Sequence, residues 1–300
     1  MISFKPVTLS CKEWVDPVVM KENSRSADFN FGNIYIWDKH YRQLITRHED
    51  RVLIKLRYEG KPTFVFPIGS GPLRPAIEAI REYAAFKGYP FTIRGITGEN
   101  RAMLEQNYPD RFLFTEDTAN ADYIYSIEKL STYSGKALHG KKNHCNRFEA
   151  ENDWRFEPIT RDMIPYCLDM LCVWDEDNAD RLDKSVSHEH DAIIRAFAAY
   201  EELGLLGGAL TANGKIVGFS IGELACRDTF DVHFEKAVYS MNGAYPMVCR
   251  ELSRLVMERY PDMKYINRED DMGFETLRQS KLSYKPEYLL KKYTARWINE

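Results

Sequence analysis

The chain has 300 residues, enough for one large domain or two ordinary ones with cores of their own. With 44% hydrophobic and 29% charged residues and no low-complexity tract, it reads as a globular chain and not as a fibrous or disordered one. A net charge of −4 and a pI near 6.0 argue against a general nucleic-acid coat but leave room for a local basic groove.

The opening MISFKPVTLS has no apolar stretch of signal-peptide length, and no run of about eighteen apolar residues follows, so no transmembrane segment is expected. The pattern predicts a helix from Leu9 to Glu22 and strands at Ile34–Trp37, Arg51–Arg57 and Thr63–Pro67. The last two are joined at Glu59-Gly60-Lys61-Pro62, where glycine supplies the positive φ of a tight turn. A helix Pro75–Gly88, a strand Phe91–Arg94, a helix Glu99–Tyr108 and a strand Asp122–Ile127 complete a mixed first half. Ser131–Asn152 is a basic helical segment. From Trp154 the order begins again, with a strand Trp154–Glu157 and amphipathic helices Arg161–Asp177 and His188–Glu202. A hairpin of Leu205–Leu210 and Ile216–Leu224 turns at Asn213-Gly214, the strongest short hairpin signal in the chain. Then come a strand Thr229–Val238, a loop Tyr239–Tyr245, a helix Pro246–Tyr260, a strand at Tyr265, a helix and a last strand Tyr288–Thr294. The two halves share this order. A duplicated α+β or mixed α/β fold is expected, with domains of residues 1–130 and 131–300, the second entered through the basic helix 131–152.

The six cysteines are scattered, without C-x-x-C pairs or metal-like spacing to histidine. Free core thiols are the ordinary reading, for Cys167 and Cys172 among them, and a reduced cytoplasmic setting is the default. No metal is expected. In the basic helix Lys141 falls on the apolar face with Leu138 and Cys145, so it either snorkels or lines a cavity. Lys142 and His144 flank it, while Asn143 and Arg147 lie on the opposite face, a cluster suited to phosphate or RNA backbone and equally to a solvated helix.

On the strand Thr229–Val238, strict alternation puts Phe230, Val232, Phe234 and Lys236 on one face and Asp231, His233 and Glu235 on the other. Glu223 continues the face of Val217, Phe219 and Ile221. A carboxylate at an apolar position has a raised pKa suited to acid–base work, although exposed strand ends would explain these residues without catalysis. The loop with Asn242, Gly243 and Tyr245 precedes a helix N-terminus, either an anion site or a tight strand-to-helix turn. From Asn267 to Pro286 the chain reads NREDDMGFETLRQSKLSYKP: a polar exit of Asn267, Arg268, Glu269, Asp270 and Asp271, then a helix. Phe274, Leu277, Arg278 and Lys281 form its stripe, with two cations on a face that looks buried.

Four segments carry a resemblance: Gly135–Phe148 (GKALHGKKNHCNRF), His233–Ala237 (HFEKA), Gly243–Pro246, and Asn267–Pro286 with its pattern Asp271, Gly273, Leu277, Arg278, Lys281, Tyr284, Pro286. They resemble a tandem-GNAT family related to the catalytic domain of phosphatidylglycerol lysyltransferase and, more distantly, to Fem-type peptidoglycan aminoacyltransferases. The resemblance implies two GNAT-like domains, each a mixed, mostly antiparallel sheet flanked by helices. It implies transfer of an aminoacyl or other acyl group to an amine or hydroxyl, with aminoacyl-tRNA or, as in CoA-dependent N-acetyltransferases, acyl-CoA as co-substrate and no bound cofactor. The alternative of another class is a non-catalytic RNA- or phospholigand-binding protein on the same scaffold. The acceptor would be a small molecule, a peptide or a lipid head group. By resemblance Arg278 and Lys281 hold the acceptor terminus or a donor phosphate, and Glu235 or Asp271 takes the acceptor's proton. His233 and Glu223 are further catalytic candidates, while Lys236, Asn267, Glu269, Asp270 and Tyr284 join the binding set. The chain departs from the lysyltransferases in lacking a transmembrane region and from CoA-using relatives in lacking their second loop glycine. The partners the resemblance implies are a tRNA acceptor end and a small-molecule, peptide or lipid-head-group acceptor, with no integral membrane contact expected, and a monomer fits the two-domain layout.

Overall fold

The structure is a computed structural model that describes residues 1–177 and 184–298. Two compact units emerge, one of residues 1–122, 270–274 and 289–300 and one of residues 123–269 and 275–288. The sequence pattern placed a single boundary at 130/131. The chain passes between the units at 122/123 and again at 269/270, 274/275 and 288/289.

The first unit contains β1 (Lys5–Pro6), α1 (Lys12–Glu22), α2 (Phe31–Ile36), α3 (Asp38–Tyr41), β2 (Leu44–His48), β3 (Arg51–Tyr58), β4 (Lys61–Val65), α4 (Leu73–Lys87), β5 (Thr92–Thr97), α5 (Gly98–Asn107) and β6 (Phe112–Glu116). From the far end of the chain β14 (Lys292–Trp297) slots between β5 and β6, giving the sheet order β1-β2-β3-β4-β5-β14-β6. β4 and β5 run parallel, whereas β2/β3, β3/β4, β5/β14 and β14/β6 are antiparallel. The expected turn at Glu59-Gly60 has φ of 49° and 76°, as a tight hairpin between right-twisted strands requires. Much of the aromatic content serves this core. Trp297 of β14 meets Phe112 edge-on at 5.0 Å, with Tyr108 at 5.6 Å and Phe91 at 6.0 Å.

One expected strand is a helix. Ile34–Trp37 lies in and just beyond α2, where Phe31 and Ile34, three apart, are both buried. A short apolar run satisfies a buried helix as well as a strand, and here the 3.6 spacing wins. Conversely β2 and β6 carry no clear strand pattern, because their residues are mostly polar or partly exposed.

The second unit contains β7 (Asp122–Ser126), α6 (Ile127–Thr132), α7 (His139–Glu151), β8 (Trp154–Pro158), α8 (Ile164–Asp177), α9 (Lys184–Ala198), α10 (Tyr200–Leu203), β9 (Leu206–Ala212), β10 (Lys215–Cys226), β11 (Thr229–Ala237), α11 (Ala244–Arg259), β12 (Tyr265–Asn267), α12 (Glu275–Ser283) and β13 (Tyr288–Leu290). Its sheet runs β13-β7-β12-β11-β10-β9-β8. The basic segment expected as one helix is broken: α6 stops at Tyr133 in a left-handed conformation, Gly135 follows with φ 87°, and α7 begins at His139. The Asn213-Gly214 hairpin has φ of 51° and 79°. Cys167 is a buried thiol as expected, but Cys172 is exposed.

Two features of this sheet position the site. β11 and β12 run parallel for three residue pairs, ending at Asp231↔Asn267, while β11 continues to Ala237. Also, β11 carries a bulge. Ile221 pairs with Phe234 and Gly222 with Val232, which leaves His233 as the extra residue. Gly222 lets the strands approach there, since a Cβ on it would lie 1.9 Å from the Asp231 carbonyl oxygen.

Candidate active site

The bulge overturns the expected alternation. A one-residue slip moves every later side chain to the other face. Phe230 and Val232 pack with Ala237 in one core cluster, a change of parity across His233. Glu235 therefore parts from His233, and the single acidic face predicted for Asp231, His233 and Glu235 becomes two separate polar centres.

The first centre surrounds His233, whose side chain is fully buried. Its Nε2 lies 3.1 Å from Glu223 Oε1, and its Nδ1 lies 2.9 Å from Glu269 Oε1 and 3.6 Å from Asp231 Oδ2. Burial alone would lower its pKa. The bonds to Glu223 and Glu269 and the charge of Asp231 outweigh burial and hold it well above the usual imidazole value, as an imidazolium. Asp231, His233 and Glu269 also bring three donor atoms within 4.8 Å of one another. The two hydrogen bonds already satisfy the ring, so its direct role is to tie β10 and β11 to the segment after β12. Asn267 Oδ1 accepts the Glu269 amide at 2.7 Å and fixes that segment, in which Glu269 has φ 53°.

The second centre gathers where the parallel strands part. Arg268 Nη2 donates to Glu235 Oε1 at 2.7 Å, with both side chains about nine-tenths buried (11% and 8% exposed). The guanidinium carbon lies 4.5 Å from the Tyr284 ring centre and 5.5 Å from that of Tyr125. Lys141 of α7 brings its Nζ to 3.8 Å from the same Tyr284 ring, so it lines the site. Lys281 of α12 is buried and donates to the Arg268 carbonyl, while the Tyr125 hydroxyl donates to the Lys281 carbonyl at 2.9 Å. Burial raises the Glu235 pKa against the pull of Arg268, Lys281 and Lys141. Burial and then the neighbouring Arg268 lower that of Lys141. Burial also lifts the Tyr284 phenol, and Cys249 beside it is pushed up to about 12.

The remaining candidates have other surroundings. Lys142, Asn143, His144 and Arg147 are exposed on α7, with Arg147 paired to Glu151 at 2.8 Å. Arg278 is half-buried on α12, 3.7 Å from Glu275, and Phe274 is exposed, so the expected apolar stripe is buried only at Lys281. Lys236 is buried over the Trp174 ring at 3.7 Å and pairs with Glu189 at 2.8 Å. Tyr245 accepts the Trp174 indole N–H at 2.7 Å, and Asn242 is exposed. Asp270 and Asp271 belong to the first unit, where their carboxylates accept the Met272 and Gly273 amides at 3.1 and 2.9 Å and shape a turn. Gly243 has φ 92°, and a Cβ on it would fall 2.4 Å from the His144 carbonyl oxygen. The glycine therefore serves close approach of the α7 backbone to the N-terminus of α11. In the sequence Arg268 is one cation within an acidic exit and does not stand out as a site residue. Its signal was its place directly after a strand that leads into the charged helix.

Residues 21–296 match the family described as phosphatidylglycerol lysyltransferase, C-terminal. The chain belongs to that family of acyltransferases. A relative from Mycoplasmoides gallisepticum, the uncharacterised protein MYCGA3080, is 27% identical over 210 residues, 69% of this chain and 65% of its own length, so the match spans less than two thirds of that relative. Among solved structures, a conserved protein of unknown function from Bacteroides thetaiotaomicron is 38% identical, with a TM-score of 0.94 over 99% of this chain and 100% of its own. The L-PGS of Bacillus licheniformis is 15% identical, with a TM-score of 0.72 over 100% of this chain and 95% of its own. That likeness shows the fold alone, two GNAT-like halves in tandem. Among the described residues no helix is long and apolar enough to cross a membrane.

Proposed function

We propose that the second unit transfers an aminoacyl group from an activated ester, aminoacyl-tRNA being the donor that suits it best, to an amine acceptor. The observation that carries this reading is the buried Glu235–Arg268 pair at the point where β11 and β12 part. Ligands of mixed and parallel sheets bind beyond the carboxyl ends of such strands. A carboxylate whose pKa is raised by burial is matched to taking a proton near neutral pH.

In the step, the acceptor nitrogen attacks the ester carbonyl carbon. The carbon–oxygen bond of the ester breaks as the amide bond forms. One proton of the ammonium passes to Glu235, and another leaves with the departing hydroxyl. Lys281, whose charge reaches Glu235, supplies positive potential for the tetrahedral oxyanion. No bound cofactor is required. The exposed Lys142 and His144 of α7 offer a short basic track for the RNA backbone. Acyl-CoA is less suited, because the loop before α11 offers one glycine, Gly243, and Pro246 in the first turn of α11 removes an N–H that a pyrophosphate would use.

Glu235→Gln tests the proposal. With a supplied aminoacyl-tRNA and acceptor, transfer should fall about 10²–10⁴-fold while donor binding holds. Unchanged transfer would remove Glu235 as the base, and donor binding without turnover in the parent protein would mark a binding module. Displacement of the tRNA by acetyl-CoA would return the chemistry to thioesters.

A further inference from the structure

The Glu235 centre is unbalanced in a particular way. One carboxylate, Glu235, feels three cations, Arg268, Lys281 and Lys141. Arg268 spends Nη2 on Glu235, whereas its Nη1 is buried without a hydrogen-bond partner. A buried guanidinium N–H left without an acceptor forfeits its hydration with nothing in return, so such a donor is normally engaged. Lys141 has an aromatic ring under its ammonium and, among the described residues, no carboxylate within ion-pair distance. The two cations share the Tyr284 ring, at 3.8 and 4.5 Å from its centre, and each lies within the electrostatic reach of the other. An anion placed between them would relieve both the open donor and the repulsion.

We infer that Arg268 Nη1 and Lys141 Nζ seat the carboxylate of an α-amino-acid acceptor, whose amine then lies on Glu235. Nη1 and Nη2 belong to one guanidinium. A group on Nη1 is therefore the immediate neighbour of a group on the carboxylate that Nη2 holds. That closeness suits two charges separated by one carbon, as in an α-amino acid. It suits a phosphodiester head group less, because the nearest free hydroxyl of a glycerol ester lies at least two carbons from the phosphate oxygen. The donor does not fill the seat either, since an aminoacyl ester has already lost its free carboxylate. The depressed pKa of Lys141 agrees with a cation that lacks its anion. This inference rests on the transfer reading for its biological meaning, but the binding it asserts needs no donor.

Isothermal titration of the intact protein with each common α-amino acid provides the test. The best ligand is then compared with its decarboxylated amine, its deaminated acid and glycerol 3-phosphate. The amino acid should bind at least about tenfold more tightly than either half. Lys141→Met, a change on a half-exposed helix face, should weaken it about tenfold or more with the fold intact by circular dichroism. Through an alkaline pH series, binding to the parent protein should take up more protons than binding to Lys141→Arg, seen as a steeper dependence of the heat on buffer ionisation, because arginine is always charged. Preference for glycerol 3-phosphate, failure of every amino acid to bind, or undiminished affinity in Lys141→Met would each overturn the assignment. Amino-acid binding with no transfer would leave the seat standing and remove only the reaction.

Discussion

Each unit buries a cation against a carboxylate, and the two arrangements close very differently. In the first unit Lys292 Nζ lies 2.7 Å from Asp122 and 2.9 Å from Asp28, and the other Asp122 oxygen accepts the Ala27 amide at 3.0 Å. Burial would lower the Lys292 pKa, but Asp122, Asp28 and Asp270 outweigh it and hold the ammonium charged. In the second unit Arg268 has one carboxylate, two further cations as neighbours and an unengaged N–H. A matched centre holds a fold together, whereas an unmatched one stores a demand that a ligand can meet. The difference separates a structural ion pair from a site without reference to how deeply either is buried.

The largest effect expected from this contrast is on stability. Lys292→Met takes away the ammonium that Asp122 and Asp28 share, and removing one partner of such a buried pair costs about 3–5 kcal/mol. Urea unfolding should record the loss as a lower midpoint. A midpoint as high as that of the parent protein would erase the distinction between the two centres.

The His233 centre sharpens the comparison because it is closed like the Lys292 centre yet lies in the second unit. Glu269→Gln removes one carboxylate from an imidazolium, a loss of about 1–3 kcal/mol for a charged hydrogen bond. The His233 pKa is raised above its unfolded value near 6.5, so its contribution is whole below about pH 6.5 and is lost as pH rises through the folded value. The penalty of Glu269→Gln should therefore be largest near about pH 6 and shrink in alkali. A penalty that is constant with pH would mean that His233 is neutral in the fold.

How far these centres were legible in the sequence differs for physical reasons. The hairpins at Glu59-Gly60 and Asn213-Gly214 were readable because positive φ is a local demand that few residues meet. Likewise the basic run of α7, the buried Lys281 and the charged exit after Tyr265 announced themselves as polar groups in apolar surroundings. The bulge at His233 was not readable. It follows from the pairing of β10 with β11 and from Gly222, on the neighbouring strand, and it decides which face Glu235 joins. Arg268 was hidden for a related reason, since its partners Glu235, Tyr125 and Tyr284 are remote in sequence and meet it only through the sheet. Similarly α2 was lost to the ambiguity of a short apolar run. Element types came from local chemistry, while the grouping of the site came from register.

The smallest effect, and the most pointed, is expected at Lys141. If its ammonium waits for a ligand, the empty protein gains nothing from it. Its folded pKa lies below the unfolded value near 10.4, because burial and Arg268 both disfavour the charge. A cation with a depressed pKa costs the fold stability below that pKa, and the cost fades as pH rises toward the unfolded value. Lys141→Met keeps the apolar stem over the Tyr284 ring and removes the charge, so at neutral pH the variant should be as stable as its parent or more so, by less than about 1 kcal/mol. The advantage should dwindle as pH approaches about 10. Saturating amino acid should reverse the order, because the ligand stabilises only the chain that retains its seat. A Lys141→Met variant that is less stable at neutral pH without ligand would place Lys141 beside Lys292, as a cation the fold itself requires.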